Sequence, residues 1–278
     1  MLRGMNLIDL AGAPQTMLAT LYAKALDADA EHPVLGDTYA RDLVGRIDYD
    51  WSRTGLSARL AAVTMRTAHF DDWARQFLKD HEVATVLHLG CGLDSRAFRL
   101  RPGPGVIWYD VDYSDVIALR ARFYPPDDNY RLVPVSVTDP GWLSTIRADR
   151  PTLMIAEGLT MYLARDDGPV LLRRIVERFP SGELHFDVFN RVGLAAERLN
   201  GVVRRSGSTL GWAVDGPDDI LAAIPGVRLI TAIPASEAKT FECVPRRYRV
   251  ASRMMSLIPA LKMMAQFHRY AFEDRPLD

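Results

Sequence analysis

An apolar run of β-forming character, Val86-Leu87-His88-Leu89, breaks into Gly90-Cys91-Gly92 and then into a pattern able to start a helix. No other stretch limits the fold as strongly. Glycines at Gly-x-Gly spacing let the backbone turn tightly and approach a ligand with no Cβ in the way. A strand ending in such a loop aims backbone N–H groups and a helix N-terminus at whatever lies above it. A second apolar run, Val106-Ile107-Trp108-Tyr109, ends in Asp110-Val111-Asp112, and Asp112 falls twenty residues after Gly92. An acid at the tip of the second strand is where a doubly wound α/β sheet grips the hydroxyls of a ribose. Gly90, Gly92 and Asp112 are therefore expected to hold a nucleoside cofactor.

Three readings of the loop stay open on spacing alone. A dinucleotide fingerprint wants a third glycine three residues after the second, and Ser95 stands there, followed by Arg96. The loop also lacks the Lys-Ser/Thr pair of a phosphate-binding P-loop. A loop without the third glycine suits a cofactor with a ribose and no pyrophosphate, of which S-adenosyl-L-methionine (SAM) is the commonest. A dinucleotide and a purely structural glycine turn are the other two readings.

The flanking sequence alternates in the α/β manner. The pattern predicts strands over 85–89, 106–111, 130–135, 152–156 and 183–188, with helices over 94–100, 113–123 and 166–179. Strands separated by helices or long crossovers imply a largely parallel sheet covered on both faces. Ahead of it, Leu60, Val63, Thr67, Phe70, Ala74 and Phe77 form one buried stripe of a helix over 57–80. Arg66 flanks that stripe, so its guanidinium must find an anion or keep access to water. Shorter helices are expected over 17–26 and 38–44. The implied organisation is an N-terminal helical cap, 1–82, before a cofactor-binding domain, 83–278. An insertion at 190–216, after strand five, would lie as a lid over the carboxyl ends of the strands. Further on, 218–224 reads as a helix and 228–233 as a strand. The Met-rich run 254–264 reads as core filler, and 268–272 as a last, antiparallel strand.

Composition excludes several classes. The 278 residues are 48% hydrophobic and 25% charged, with a formal net charge of -1. The 34 basic residues are spread along the chain, so no nucleic-acid patch stands out. Cys91 and Cys243 do not make a disulfide framework, which favours a reducing, cytoplasmic setting. No uninterrupted apolar window is long enough for a membrane span, and Asp9 interrupts any leader-like core. The six histidines lack metal-ligand spacing. His88 reads as a core histidine, Asp94 as a helix cap, and Arg96 as a neutraliser of Asp112 or Glu157. Ser57, Ser95 and Ser114 lack a nucleophile-elbow context.

Several segments, in order, resemble the leucine carboxyl methyltransferase family. The resemblance is nearest to its bacterial branch of O-methyltransferases linked to polyketide and other natural-product pathways. The matching pieces are Met65-Arg66-Thr67 with Phe70-Asp71, Leu89-Gly90-Cys91-Gly92-Leu93-Asp94-Ser95-Arg96 with Arg99-Leu100, Val111-Asp112-Tyr113-Ser114-Asp115-Val116 with Arg120, and Ala156-Glu157-Gly158-Leu159 with Tyr162-Leu163. The likeness spans roughly 35–190. It implies a Rossmann-like class I SAM-dependent methyltransferase sheet with SAM as methyl donor and S-adenosyl-L-homocysteine as product. It also implies that Arg66 holds the cofactor's carboxylate, Gly90 packs on the cofactor, Asp112 takes the ribose, and Glu157 meets the amino end. Where the family places an Asp beside the adenine, this chain has Ser136 and Val137, with Asp139 the nearest acid.

Methyl transfer from a sulfonium needs no acid for the leaving thioether. A carboxylate acceptor is already ionised at pH 7 and needs no base. The absence of a His or Cys catalytic pair fits such an acceptor, expected to be a small aromatic or polyketide acid; a phenol would gain from a base. Tyr162 and Arg191, each just after a strand end, are the expected acceptor contacts. A protein C-terminal carboxyl methyltransferase, a NAD-dependent oxidoreductase and a non-catalytic SAM-binding protein are the competing readings.

Overall fold

The computed structural model describes residues 15–54, 60–199, 203, 209–244 and 246–273. Seven strands form one sheet: β1 (Ala84–Leu89), β2 (Val106–Asp112), β3 (Tyr130–Pro134), β4 (Thr152–Ala156), β5 (Ser181–Phe189), β6 (Val227–Pro234) and β7 (Ala265–Glu273). Their order is β3-β2-β1-β4-β5-β7-β6. The first five pair in parallel, and β7 runs antiparallel to both β5 and β6. The expected parallel sheet and the antiparallel last strand are both observed. Strand order reverses between β1 and β4, the switch point at which such sheets open a crevice.

Ten α-helices accompany the strands among the described residues: α1 (Gln15–Ala28), α2 (Thr38–Val44), α3 (Leu60–Asp80), α4 (Arg96–Leu100), α5 (Ser114–Ala121), α6 (Asp167–Arg178), α7 (Arg191–Arg198), α8 (Pro217–Ala223), α9 (Arg246–Met255) and α10 (Pro259–Lys262). The expected start at residue 57 lies outside the described residues. The side-chain period of two sends Ala84, Val86 and His88 to one face of β1 and Thr85, Leu87 and Leu89 to the other. Every residue of β1 is buried, as a parallel strand covered on both faces requires. Val86, Trp108 and Leu153 meet Leu18, Leu21, Phe70, Trp73 and Phe77, so α1 and α3 share one core with the sheet. On the opposite face Leu87, Met154 and Phe186 meet Leu171, Leu172 and Ile175 of α6, Ile220 of α8, and Ile224 just after it. A small third cluster joins Met161, Leu194, Val203 and Leu210 above the strand ends.

Two expectations fail. The Met-rich run is not core filler: Met254 is 65% and Leu257 76% exposed, because α9 and α10 stay on the surface. Asp94 does not cap a helix. Ser95 occupies the cap of α4 with no side-chain capping bond, and Asp94 is taken by Lys24 and Arg99 at 2.8 and 3.0 Å.

Candidate functional site

The carboxyl ends of β1 to β5 open into one cavity of about 760 Å³, closed on another side by α1 and α3. Its floor is the loop after β1. Gly90 and Gly92 adopt φ of 63° and 50°, a left-handed conformation that favours glycine. A Cβ on Gly90 would stand 3.1 Å from Leu159, and one on Gly92 would stand 3.1 Å from Met17. The loop is fixed to β2, since Gly90 N–H donates to the Val111 carbonyl at 2.8 Å. Ser95, standing where a dinucleotide loop has its third glycine, donates from Oγ to both oxygens of Asp37 at 2.7 and 2.8 Å. Asp37 also accepts from Ala40 N and so caps α2. The serine thus fastens the N-terminal helices to the loop.

Asp112 ends β2 and lines the cavity. Its Oδ2 accepts from Gly92 N and its Oδ1 from Tyr113 N, both at 2.8 Å. Two amides therefore set the carboxylate plane while leaving lone pairs for a ligand. Burial pushes its pKa up against the pull of those amides and of Arg120. After β3, Ser136 and Val137 also line the cavity. Ser136 Oγ shares a hydrogen bond of 2.8 Å with Thr138 Oγ1. Asp139 is exposed, accepts from Gly141 N at 2.8 Å, and does not reach the cavity wall.

Arg66 reaches from α3 toward the ends of β4 and β5. Its Nε donates to Glu157 Oε1 at 3.0 Å and its Nη1 to Asp187 Oδ2 at 2.7 Å. Burial alone lowers its pKa, but Asp187 and Glu157 bring it above the ordinary arginine value. Glu157 Oε1 also accepts from Thr67 Oγ1 at 2.8 Å, and Oε2 accepts from Arg96 Nη2. Burial works to raise the pKa of Glu157, and Arg96 and Arg66 overcome it, holding the carboxyl well below the usual range.

Arg96 is fully buried; its Nε donates to Asp71 Oδ1 at 2.8 Å and its Nη1 meets His88 Nε2 at 3.2 Å. Of the two partners expected for Arg96, the contact is with Glu157. His88 lies in the core as expected, with Nδ1 2.8 Å from Asp110 Oδ1. Burial would raise Asp110, but Arg120 and His88 bring it down to about 2. Asp71 binds Arg99 as well, at 2.7 and 3.1 Å. Such desolvated pairs cost several kcal/mol per ion unless each charge is matched and hydrogen-bonded, as these are.

Tyr162 lies in a single helical turn, Thr160–Tyr162, and lines the cavity. Burial keeps its phenol protonated by raising its pKa. Arg191 is elsewhere. Its side chain is 81% exposed at the start of α7, 3.1 Å from Asp215, and outside the cavity wall. Placement at the strand end put it near the crevice in sequence, but the first turn of α7 sends the side chain to solvent. Sequence reasoning also missed Asp187, Lys24 and Glu197, all of which line the cavity. Asp187 carried a usable signal: it is an acid inside the run Leu184–Phe189 of β5, where His185 is the other polar residue. Lys24 had none, because its partner Asp94 lies far along the chain in the loop after β1. Among the described residues no group of three or more His, Cys, Asp or Glu could hold a metal ion, and no helix is long and apolar enough to cross a membrane.

Known proteins resemble this chain along most of its length. TcmP, the tetracenomycin polyketide synthesis O-methyltransferase of Streptomyces glaucescens, is 41% identical over 267 residues, which are 95% of this chain and 98% of TcmP. The S-adenosyl-L-methionine-dependent methyltransferase dpfgK of Gibberella zeae is 37% identical over 243 residues, 80% and 82% of the two chains. Among solved structures, a candidate methyltransferase of Thermobifida fusca superposes with a TM-score of 0.62 at 16% identity, covering 91% of this chain and 94% of that one. That likeness concerns the fold, which is the Rossmann-like class I methyltransferase sheet. The family model for leucine carboxyl methyltransferase matches residues 16–176, more than half of the 278. The chain belongs to the leucine carboxyl methyltransferase family.

Proposed function

We propose that this SAM-dependent O-methyltransferase esterifies a carboxylate of a small aromatic or polyketide acid. One observation carries the reading. The cavity joins the Gly90 and Asp112 side to an apolar annex, Met161, Phe189 and Leu210, and among the described residues its wall holds no histidine free to act as a base. His88, the single histidine in that wall among the described residues, is tied between Asp110 and Arg96. The volume lies within the range of about 300–1,000 Å³ usual for small-molecule sites.

The residues present fit the cofactor. Asp112, pre-set by two amides, suits a ribose diol, and the glycine loop leaves room for close approach. Ser136 and Val137 suit the adenine side, and Arg66 the carboxylate. Glu157 already accepts three hydrogen bonds of the roughly four that a carboxylate can take, so one site remains for an ammonium. When bound, SAM supplies an electrophilic methyl carbon and a neutral thioether leaving group.

The chain's own part is then orientation and exclusion of water. Met161, Leu194, Val203 and Leu210 close an apolar wall beside Tyr162. An anionic acceptor and a cationic donor cancel charge as they react, so a dry wall favours their meeting. Orientation alone can remove on the order of 7–11 kcal/mol of barrier in favourable cases. Tyr162, held protonated, can donate to an acceptor oxygen.

Incubation with methyl-labelled SAM and a panel of aromatic and polyketide acids tests this, read by mass spectrometry before and after alkali. A labelled ester that alkali cleaves is the expected product. An alkali-stable ether, or label on a protein C-terminus instead of a small molecule, overturns the carboxylate reading.

A further inference from the structure

Five side chains form an alternating row of charge, Asp71, Arg96, Glu157, Arg66 and Asp187, of which the last three line the cavity. The row begins in the seam between α3 and α4 and ends on β5. Its last member does more than neutralise Arg66. Asp187 Oδ1 accepts from Gly158 N at 2.7 Å while Oδ2 accepts from Arg66 Nη1 at 2.7 Å. Its carbonyl accepts from Thr160 Oγ1. One residue thereby joins α3, the turn after β4 and the end of β5.

That turn matters because Gly158 has φ of 69°, and a Cβ there would stand 3.0 Å from Arg66 Nη2. The guanidinium thus lies against a glycine turn. Nε and Nη1 are spent on Glu157 and Asp187, and Nη2 has no hydrogen bond among the described residues. A guanidinium is a rigid planar fork, so fixing two of its nitrogens fixes the direction of the third.

We propose that Asp187 is the positioning residue for the cofactor's amino-acid end, orienting Arg66 so that Nη2 is left for the carboxylate. The proposal rests on the reading of Arg66 as the carboxylate contact, and it adds a residue to which no role had been given. Asp187 lines the cavity, is buried, and spends its carboxylate and carbonyl on Arg66, Gly158 and Thr160 of the same chain. Bonds within the chain that hold a binding group in place lower the ordering cost of recognition.

The test compares two ligands that share the adenosine: S-adenosylhomocysteine, with the amino-acid end, and 5′-methylthioadenosine, without it. Calorimetry on wild type, Asp187→Asn and Arg66→Gln gives the ratio of affinities. The expected result for Asp187→Asn is roughly tenfold or greater weakening of S-adenosylhomocysteine, with methylthioadenosine held within about twofold and the KM for SAM raised more than kcat is lowered. Equal weakening of both ligands, or of neither, while Arg66→Gln does discriminate, overturns the role of Asp187 alone. If Arg66→Gln fails to discriminate, the Arg66 reading falls and the inference with it. Should Asp187→Asn not fold, Asp187→Glu shifts the same carboxylate by one methylene and carries the same comparison.

Discussion

Gly92 and Asp112 meet across the first two strands, with the amide of the glycine donating to Oδ2 of the acid at 2.8 Å. The loop after β1 and the tip of β2 are thus one rigid unit. Two features that look independent in sequence, a glycine pair and an acid twenty residues on, hold each other in place.

Removing that acid should cost the cofactor more than the fold. Asp112→Ala is expected to weaken S-adenosylhomocysteine by about 2 kcal/mol, on the order of thirtyfold, as a charged hydrogen-bond acceptor is lost. Calorimetry reads the affinity, and a melting curve close to wild type separates it from unfolding.

The loop chemistry also separates cofactors. S-adenosylhomocysteine at about a hundredfold over its Kd should add roughly 2.7 kcal/mol of stability, visible as a raised Tm. NAD at the same concentration should leave Tm unchanged, since Ser95 is spent on Asp37 where a dinucleotide loop needs glycine.

Two glycines with positive φ should respond differently to alanine. At Gly182, φ is 156° and a Cβ would stand 1.8 Å from the Thr152 carbonyl oxygen, inside the parallel pairing of β4 and β5. At Gly226, φ is 92° and the nearest atom is 3.9 Å away. Gly226→Ala is expected to cost about 1–2 kcal/mol of backbone strain. Gly182→Ala adds a clash that nothing flexible can relieve, so its loss, read by urea unfolding, should exceed that of Gly226→Ala by about 1–3 kcal/mol.

Acid should destabilise the protein before the carboxylates titrate. Burial holds both His69 and His268 neutral, with pKa values down to about 4. Unfolded, each titrates near 6.5. The unfolded chain therefore binds more protons between these values, and stability present above pH 6.5 is lost as pH falls toward 4. The loss from pH 7 to pH 5 is expected to be about 2 kcal/mol for each group. Urea midpoints at the two pH values measure it, and His268→Gln should flatten the slope.

Much of this was legible. The runs that became β1, β2 and β4 are apolar, short and bounded by turns, so burial on both faces of a parallel sheet wrote them plainly. Gly90, Gly92, Asp112, Ser136, Val137 and Glu157 all reach the cavity because each stands at or just after a strand end. What failed did so for reasons of distance and direction. Arg191 follows a strand end as well, but one turn of helix carries its side chain to solvent. The ion row from Asp71 to Asp187 links residues more than a hundred positions apart, and no local period records it. The methionines near 254 look apolar in sequence, yet no element covers them among the described residues.

A crystal structure with S-adenosylhomocysteine bound is the most direct test of the central claim. The account predicts ribose hydroxyls on Asp112, adenine beside Ser136 and Val137, and the carboxylate on Arg66. A ligand seated away from the loop Gly90-Cys91-Gly92, or ribose hydroxyls that leave Asp112 untouched, would contradict it.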